Sequence, residues 1–154
     1  MTDTELPEAT GRQYPPFVAG ERVMLDSWLE FHRATLLMKC EGLTDEQLKT
    51  RSVPPSSLSL LGLVRHMTEV ERGWFRRVLA GEDIEPLYYS DGNEDGDFDD
   101  VHTADVAGDL ARFQAELEVC RRIAADHPDL DTIAKRARRG RQVSLRWIYV
   151  HMIE

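Results

Sequence analysis

The stretch of sequence that decides the fold is LSLLGLVRHMTEVERGWF, which occupies residues 58–75. Its apolar side chains recur every three or four residues, as expected for an amphipathic helix. The stretch also carries one histidine, His66, and two glutamates, Glu69 and Glu71. The sequence therefore predicts a long apolar helix with ionisable groups on or beside its buried face.

Similar apolar stripes occur before and after this stretch. Together they predict four long amphipathic helices, at about residues 21–40, 58–80, 103–126 and from 145 onward. Gly42 and Gly81 are placed to end the first two helices, and residues 44–47 have the form of a capping box. No convincing β-strand and no internal repeat is found. The predicted fold class is all-α, a four-helix bundle with a long loop between the second and third helices.

The chain divides into two predicted segments. Residues 1–19 contain three prolines and little periodicity, so we expect an extended N-terminal arm. Residues 20–154 are expected to form one helical bundle domain, which is a common domain size. The last helix has only about three turns, with no glycine, C-cap or basic last turn. We therefore expect that the fourth helix is cut short here and continues in the native protein.

Composition narrows the class of protein. A formal net charge of -9 argues against nucleic-acid binding, which needs a basic face. No apolar run approaches the roughly 20 residues that span a bilayer, and the acidic N-terminus does not resemble a signal peptide. Cys40 and Cys120 belong to no paired motif, so both are predicted to be buried free thiols. These features favour a cytoplasmic protein that acts on neither nucleic acid nor membranes.

Two histidines are the candidate functional residues. His66 lies on the flank of the apolar stripe, so its ring can reach the interior edge of the bundle. It is either a half-buried histidine bonded to a carbonyl or a ligand of a divalent metal. His151 shares its side of the last helix with Ile148 and Met152, and is either a packed histidine at the core edge or part of the same site. Two histidines alone do not complete a catalytic zinc site.

Glu71 is the second anomaly in the 58–75 stretch. It falls near the middle of the apolar stripe, where a carboxylate is costly unless it is paired or bound to metal. It either pairs with an arginine such as Arg146 or Arg33, or serves as a general base or as a support for a metal ligand. Glu69 is predicted to point outward into solvent.

Two charged segments give weaker indications of a binding function. Residues 91–99 resemble the first part of a calcium-binding loop, but position twelve is His102 where a glutamate is needed. A solvated acidic loop is the expectation, with weak calcium binding as the alternative. The basic residues 135–141 are predicted to form a solvated connection, although they could also neutralise an anionic substrate or pair with the acidic loop.

Three stretches of the chain resemble the DinB/YfiT-like superfamily of small bundle metalloproteins. They are residues 41–48, residues 54–67 with their continuation through 71–75, and residues 143–154. The likeness is to the actinobacterial branch, which is related to mycothiol-dependent proteins. In order and spacing these stretches cover most of residues 20–154.

The resemblance implies a divalent-metal site, zinc or nickel, with His66 as its first ligand. The other two family ligands would fall just beyond Glu154, and His151 would lie closer to a supporting position than to a ligand. The implied reaction is transfer of a low-molecular-weight thiol, such as a mycothiol-like thiol, to a small electrophile, with the metal lowering the pKa of the sulfur. Hydrolysis by metal-bound water is the related possibility. The resemblance also implies a homodimer, and the alternative function is a non-catalytic bundle that binds a small ligand or a protein partner.

Overall fold

The computed structural model describes residues 11–154, and this part of the chain is all-helical, which confirms the predicted fold class. The α-helices are α1 (Glu21–Cys40), α2 (Asp45–Lys49), α3 (Leu60–Glu71), α4 (Gly96–Asp99), α5 (Val106–Ala125) and α6 (Leu145–Ile153). A π-helical segment, Arg72–Leu79, continues α3, and a 3₁₀ turn, Asp100–Thr103, follows α4. Within the described range only isolated β-bridges occur. None of the helices described is long and apolar enough to cross a membrane.

The observed helix bounds follow from capping residues that the periodicity did not reveal. The second long helix begins at Leu60, because the side chain of Ser59 accepts a hydrogen bond of 3.0 Å from the amide of Gly62. The third begins at Val106, because the carboxylate of Asp105 caps it in the same way. Each cap satisfies an amide that the first turn of a helix leaves without a partner.

Contacts divide the described chain into two compact units. One contains α1 and residues 149–154, and the other contains residues 42–148. The predicted division into an arm, 1–19, and a domain, 20–154, stays a prediction. Of that arm, residues 1–10 lie outside the described residues, while residues 11–19 contain no helix.

The first unit is organised by aromatic rings along α1. The ring of Tyr14 lies 5.2 Å from that of Phe31, edge to face, and Arg12 places its guanidinium 4.5 Å above the same Phe31 ring. The hydroxyl of Tyr149 donates a hydrogen bond to Asp26. Burial and this hydrogen bond raise the pKa of Tyr149.

The core of the second unit lies where α3 and its π-helical continuation pack against α5. Its largest completely buried apolar side chains come from these elements and from α6; they include Leu61, Val64, Phe75, Phe113, Leu117 and Ile148. Each such side chain contributes roughly 1.5–3 kcal/mol by leaving water. Cys120 is buried here too, as predicted, whereas Cys40 is buried in the first unit, where burial raises the pKa of its thiol.

A buried cluster of charges joins the π-helical segment to α5. Arg72 and Arg76 each place an Nη1 atom 2.7 Å from the same carboxylate oxygen of Glu116. Arg76 also donates to Glu82, and Arg72 donates to the carbonyl of Glu85. A carboxylate shared by two guanidinium groups is strongly held, since both partners are charged.

Candidate functional site

A cleft of about 360 Å³ runs along one side of α3 and the π-helical segment, within the second unit. Residues from the 89–98 segment and Arg138 also line it. The lining combines apolar and ionisable side chains; it comprises His66, Glu69, Val70, Gly73, Trp74, Arg77, Val78, Tyr89, Glu94, Asp95, Asp97, Phe98 and Arg138. The cleft therefore has the size and mixed chemistry of a small-molecule site.

His66 lines this cleft and is held by a carboxylate from the 89–98 segment. Its Nδ1 atom lies 2.7 Å from Oδ2 of Asp97. The His66 side chain is 42% exposed, whereas that of Asp97 is only 6% exposed. When Asp97 is ionised its carboxylate can only accept hydrogen bonds, so this contact favours the tautomer with the proton on Nδ1. In the neutral ring Nε2 is then the nitrogen with the lone pair.

Phe98 fixes the plane of the His66 ring from one side. The two rings are stacked, with centroids 4.8 Å apart and an angle of 29° between the planes. The ring lies close to α3 at a position without a side chain, since a Cβ on Gly62, one turn earlier, would lie 3.0 Å from Cδ1 of Phe98. The imidazole is therefore restrained both by a hydrogen bond and by a neighbouring ring.

The segment that carries Asp97 is ordered, which differs in part from the predicted solvated acidic loop. Gly96 and Asp97 are buried, while residues 91–95 remain exposed as expected. At Gly96 a side chain would overlap the carbonyl of Tyr88, so only glycine fits there. The close approach brings Asp97 against α3, a contact that no periodicity in this segment indicated.

The prediction that Glu69 is solvated is wrong. Its side chain is 4% exposed, and its Oε1 accepts hydrogen bonds from the backbone amides of Leu87 and Tyr88, the latter at 2.7 Å. These amides lie in an irregular segment and need an acceptor when they are buried. The other carboxylate oxygen of Glu69 faces Nη2 of Arg77 at 3.9 Å.

The end of the cleft away from His66 is basic and aromatic. Arg77 donates a 2.9 Å hydrogen bond to the hydroxyl of Tyr89. The guanidinium of Arg138 lies 5.6 Å from the ring centre of Trp74, and that ring packs 5.2 Å from the ring of Trp147. Arginine over an aromatic face is a favourable contact, so this end presents two cations beside an apolar platform.

The basic segment 135–141 is therefore only partly a solvated connection. Its arginines are exposed, as predicted. However, the amides of Lys135 and Arg136 donate to the carbonyls of Leu79 and Val78 at the end of the π-helical segment. These two bonds fix the segment beside the cleft and bring Arg138 into its lining.

The other two candidate residues lie outside this cleft lining. Glu71 is completely buried at the end of α3, so the prediction that it sits in the apolar stripe is confirmed, while its role as a base or support stays a prediction. His151 belongs to the unit that contains α1, where its Nδ1 is 3.2 Å from a carboxylate oxygen of Glu154. Its part in a site with His66 also stays a prediction.

His66 fits a metal site only as a single ligand. Metal-binding histidines commonly donate their second ring N–H to a carboxylate, which is the arrangement of His66 with Asp97. A catalytic zinc ion, however, usually has three protein ligands. Among residues 11–154 no three histidine, cysteine or carboxylate side chains come together so as to hold a metal ion. The described residues therefore do not fit a complete metal centre, and metal ligation by His66 stays a prediction.

Asp97 and Tyr89 could not be identified as site residues from the sequence, whereas the sequence position of Arg65 indicated that it is buried. Asp97 and Tyr89 belong to an irregular acidic segment whose residues show no helical period. Arg65, which is buried beneath that segment, is a charged residue four positions from both Leu61 and Glu69 on an apolar helix. A charge at that spacing indicates a buried polar contact, although it does not identify the partner.

Comparison with protein-family models gives one finding that bears on this cleft. A model described as mycothiol S-transferase matches residues 24–154. No curated protein matches the chain, and no solved structure does. The match extends over most of the chain and confirms the resemblance to the DinB/YfiT-like superfamily. The chain belongs to the mycothiol S-transferase family.

Proposed function

We propose that this protein transfers a low-molecular-weight thiol, of the mycothiol type that describes its family, to a small electrophile in the cleft beside His66. The observation that carries the proposal is the 2.7 Å contact between His66 and Asp97 on the wall of the cleft. A histidine oriented by a carboxylate is a common device for activating a nucleophile.

In this proposal His66 accepts the proton of the thiol. Asp97 holds the proton on Nδ1, so the lone pair on Nε2 takes the proton from the S–H group. The sulfur electron pair then forms a bond to the electrophilic carbon, and the bond from that carbon to its leaving group breaks with its electrons. The leaving group departs as an anion, or takes up the proton that Nε2 had accepted. The carboxylate stabilises the imidazolium that exists between these two proton transfers.

The remaining lining residues position the reactants. Val70, Trp74 and Phe98 give the cleft an apolar surface on which the apolar part of a reactant can pack. Arg77 and Arg138 at the far end provide hydrogen-bond donors and positive charge for polar or anionic groups of the thiol or the electrophile. The substrate class is therefore a small electrophile with an apolar body.

Metal ligation by His66 is the competing role for the same atom. Nε2 cannot accept a thiol proton while it binds zinc or nickel, so the two roles exclude each other. A bound metal would supply direct stabilisation of the thiolate. Elemental analysis of the purified protein, with His66→Ala as the comparison, decides between them, because loss of a stoichiometric metal in the variant would assign His66 as a ligand.

Steady-state kinetics with mycothiol and 1-chloro-2,4-dinitrobenzene test the proposed function. Formation of the thioether is followed by absorbance, with and without a chelator in the buffer. We expect His66→Gln to lower kcat/KM roughly 100-fold or more, because a positioned base contributes that much. The matched control is His127→Gln, since His127 is also half-buried and its Nδ1 also lies 2.7 Å from an oxygen, the carbonyl of Ile123. That variant should keep the rate of the unchanged protein.

Two outcomes contradict the proposal. An unchanged rate in His66→Gln removes the base from the mechanism. Binding of the thiol without turnover of any electrophile favours the alternative function, a non-catalytic bundle that binds a small ligand or a protein partner. The predicted homodimer and cytoplasmic location stay predictions, and the first is checked by light scattering on the same preparation.

A further inference from the structure

Arg65 lies directly beneath the site, next to His66 in sequence but on the buried side of α3. Its guanidinium makes three hydrogen bonds with three different atoms. Nε donates to the carbonyl of Asp97 at 3.1 Å, and Nη2 donates to the carbonyl of Gly96 at 3.1 Å. Nη1 donates to the carboxylate of Asp109 on α5 at 3.0 Å. One side chain thus joins the Asp97 segment to two helices.

The guanidinium of Arg65 is buried together with its partners. The side chains of Arg65 and Asp109 are 9% and 8% exposed. A charge this far from water is tolerated only when its donors are used and a counter-charge is near. Tyr88 covers the same guanidinium, which lies 4.3 Å from the centre of the tyrosine ring. The hydroxyl of Tyr88 donates a hydrogen bond of 2.8 Å to Asp109.

The two carbonyls that Arg65 binds belong to Asp97, which orients His66, and to Gly96, which precedes it in the chain. Fixing two successive carbonyls fixes the peptide between them, and hence the direction in which the Asp97 side chain leaves the backbone. The carboxylate of Asp97 then meets Nδ1 of His66 at 2.7 Å. The chain of contacts therefore runs from Asp109 through Arg65 and the backbone to the imidazole.

We propose that Arg65 is a positioning residue that sets the tautomer and orientation of His66 by holding the backbone of Asp97. The inference rests on the proposed function for its catalytic consequence, but the placement of the imidazole proton is independent of it. Arg65 touches no substrate in this proposal. It acts only through Asp97, and its planar fork is needed because three acceptors in different directions must be reached at once.

The test replaces Arg65 by lysine, which keeps the charge and offers a single ammonium group. Lysine cannot span both carbonyls and the carboxylate, so Asp97 loses its fixed direction. Ring nitrogen chemical shifts of ¹⁵N-labelled protein, recorded by NMR at a pH where the imidazole is neutral, report the tautomer. We expect His66 to carry its proton on Nδ1 in the unchanged protein and to become a mixture of both tautomers in Arg65→Lys. The kcat should fall by up to about 100-fold, with KM within about twofold, because misplacing a catalytic group by about an ångström has effects of this size.

Arg72→Lys is the matched control. The Arg72 side chain is only 12% exposed, also bonds a carbonyl and a carboxylate, and lies on the π-helical continuation of α3. It does not contact the 96–98 segment in the described structure, so a merely structural effect of replacing a buried arginine would appear in both variants. We expect the His66 tautomer to change only in Arg65→Lys.

Each outcome separates the two proposals. A changed tautomer in a protein that shows no S-transfer supports the positioning role of Arg65 and contradicts the proposed function. S-transfer with an unchanged tautomer and an unchanged kcat in Arg65→Lys overturns the positioning role alone. Arg65→Gln, measured in the same way, covers the case in which the lysine variant fails to fold, since its amide removes the buried charge and still reaches only one of the carbonyls.

Discussion

Two arginine clusters, each built around a buried carboxylate, lie along α3 and its π-helical continuation and have different consequences. In the α3 half, Arg65 binds the carbonyls of the first two residues of the short helix α4 and brings Asp97 against His66. In the π-helical half, Arg72 and Arg76 converge on Glu116 of α5. The first cluster fixes the start of α4, a helix of only four residues with few hydrogen bonds of its own, and the second joins two much longer helical elements. Burial of charge alone therefore does not indicate a functional site. A buried charge indicates one when the group that it holds is itself in contact with a candidate site residue.

Removing the carboxylate of the second cluster should have the largest effect on stability. Glu116→Ala leaves Arg72 and Arg76 facing each other without their shared acceptor, which costs about 3 kcal/mol in the free energy of unfolding. Urea denaturation followed by circular dichroism measures this change. S-transfer at a temperature where the variant is folded should be unchanged, since Glu116 does not belong to the cleft lining in the described residues. A comparable loss of activity would make the two clusters functionally equivalent and so contradict the comparison.

Alkaline pH should weaken the first cluster through Tyr88. Burial and the hydrogen bond to Asp109 raise the pKa of Tyr88 to about 12. An unfolded tyrosine loses its proton near pH 10, so this stabilising contribution is complete below about pH 10 and is lost as the pH rises to about 12. Over this range one such group lowers the free energy of unfolding by up to about 1.4 kcal/mol per pH unit.

The variant Tyr88→Phe isolates this contribution. At pH 7 it should be less stable by about 1 kcal/mol, because Asp109 loses one hydrogen bond. Between about pH 10 and 12 its stability should fall less steeply than that of the unchanged protein. The remaining slope includes Tyr149, whose pKa is also raised by burial and by a hydrogen bond to Asp26. Identical slopes in the two proteins, measured by urea denaturation at several pH values, would show that Tyr88 does not couple the cluster to pH.

The smallest effect on stability is expected at Gly62, where the Phe98 ring approaches α3. In Gly62→Ala the new methyl group lies 3.0 Å from the Phe98 ring, so the ring must move by a few tenths of an ångström. Alanine favours the helix by up to about 1 kcal/mol over glycine, which offsets the crowding. We expect a change in the free energy of unfolding below about 1 kcal/mol, together with altered proton shifts of the His66 ring, because stacking on Phe98 changes.

NMR spectra of this variant separate the two restraints on the imidazole. If the His66 tautomer stays as in the unchanged protein while the ring shifts move, the hydrogen bond to Asp97 and the stacking on Phe98 act independently. A changed tautomer would mean that the position of Phe98 helps to direct Asp97, its neighbour in sequence. Thermal denaturation of the same sample reports whether any change comes from general loosening.

Much of the fold was predictable because helices are decided by local patterns. The interval of three to four residues between apolar side chains identified the long helices, and Gly81, with a φ of 71°, ends the second one as predicted. The π-helical form of residues 72–79 was not predictable, since π-helices are rare and a segment of 8 residues is too short for its apolar spacing to separate the two helix types. The start of α5 was misplaced by a few residues because Asp105, rather than the apolar stripe, determines it.

The candidate site was predictable only on its helical side. His66 stood out because an imidazole on the flank of an apolar stripe must find a polar partner. The identity of that partner could not be read, since Asp97 comes from an irregular acidic segment 31 positions away that has several equivalent carboxylates. Glu69 was misjudged for the same reason: its position on the helical wheel faces outward until the amides of Leu87 and Tyr88 cover it.

The sequence by itself determined the all-α class, the long helices and the presence of a histidine at the edge of a buried face, because these depend on periodicity and on the cost of burying polar groups. Only the tertiary structure decided which carboxylate meets that histidine, which arginine holds that carboxylate and which side chains close the cleft. Those contacts join segments that are distant along the chain, and their partners are selected by the packing of the whole unit rather than by any local pattern.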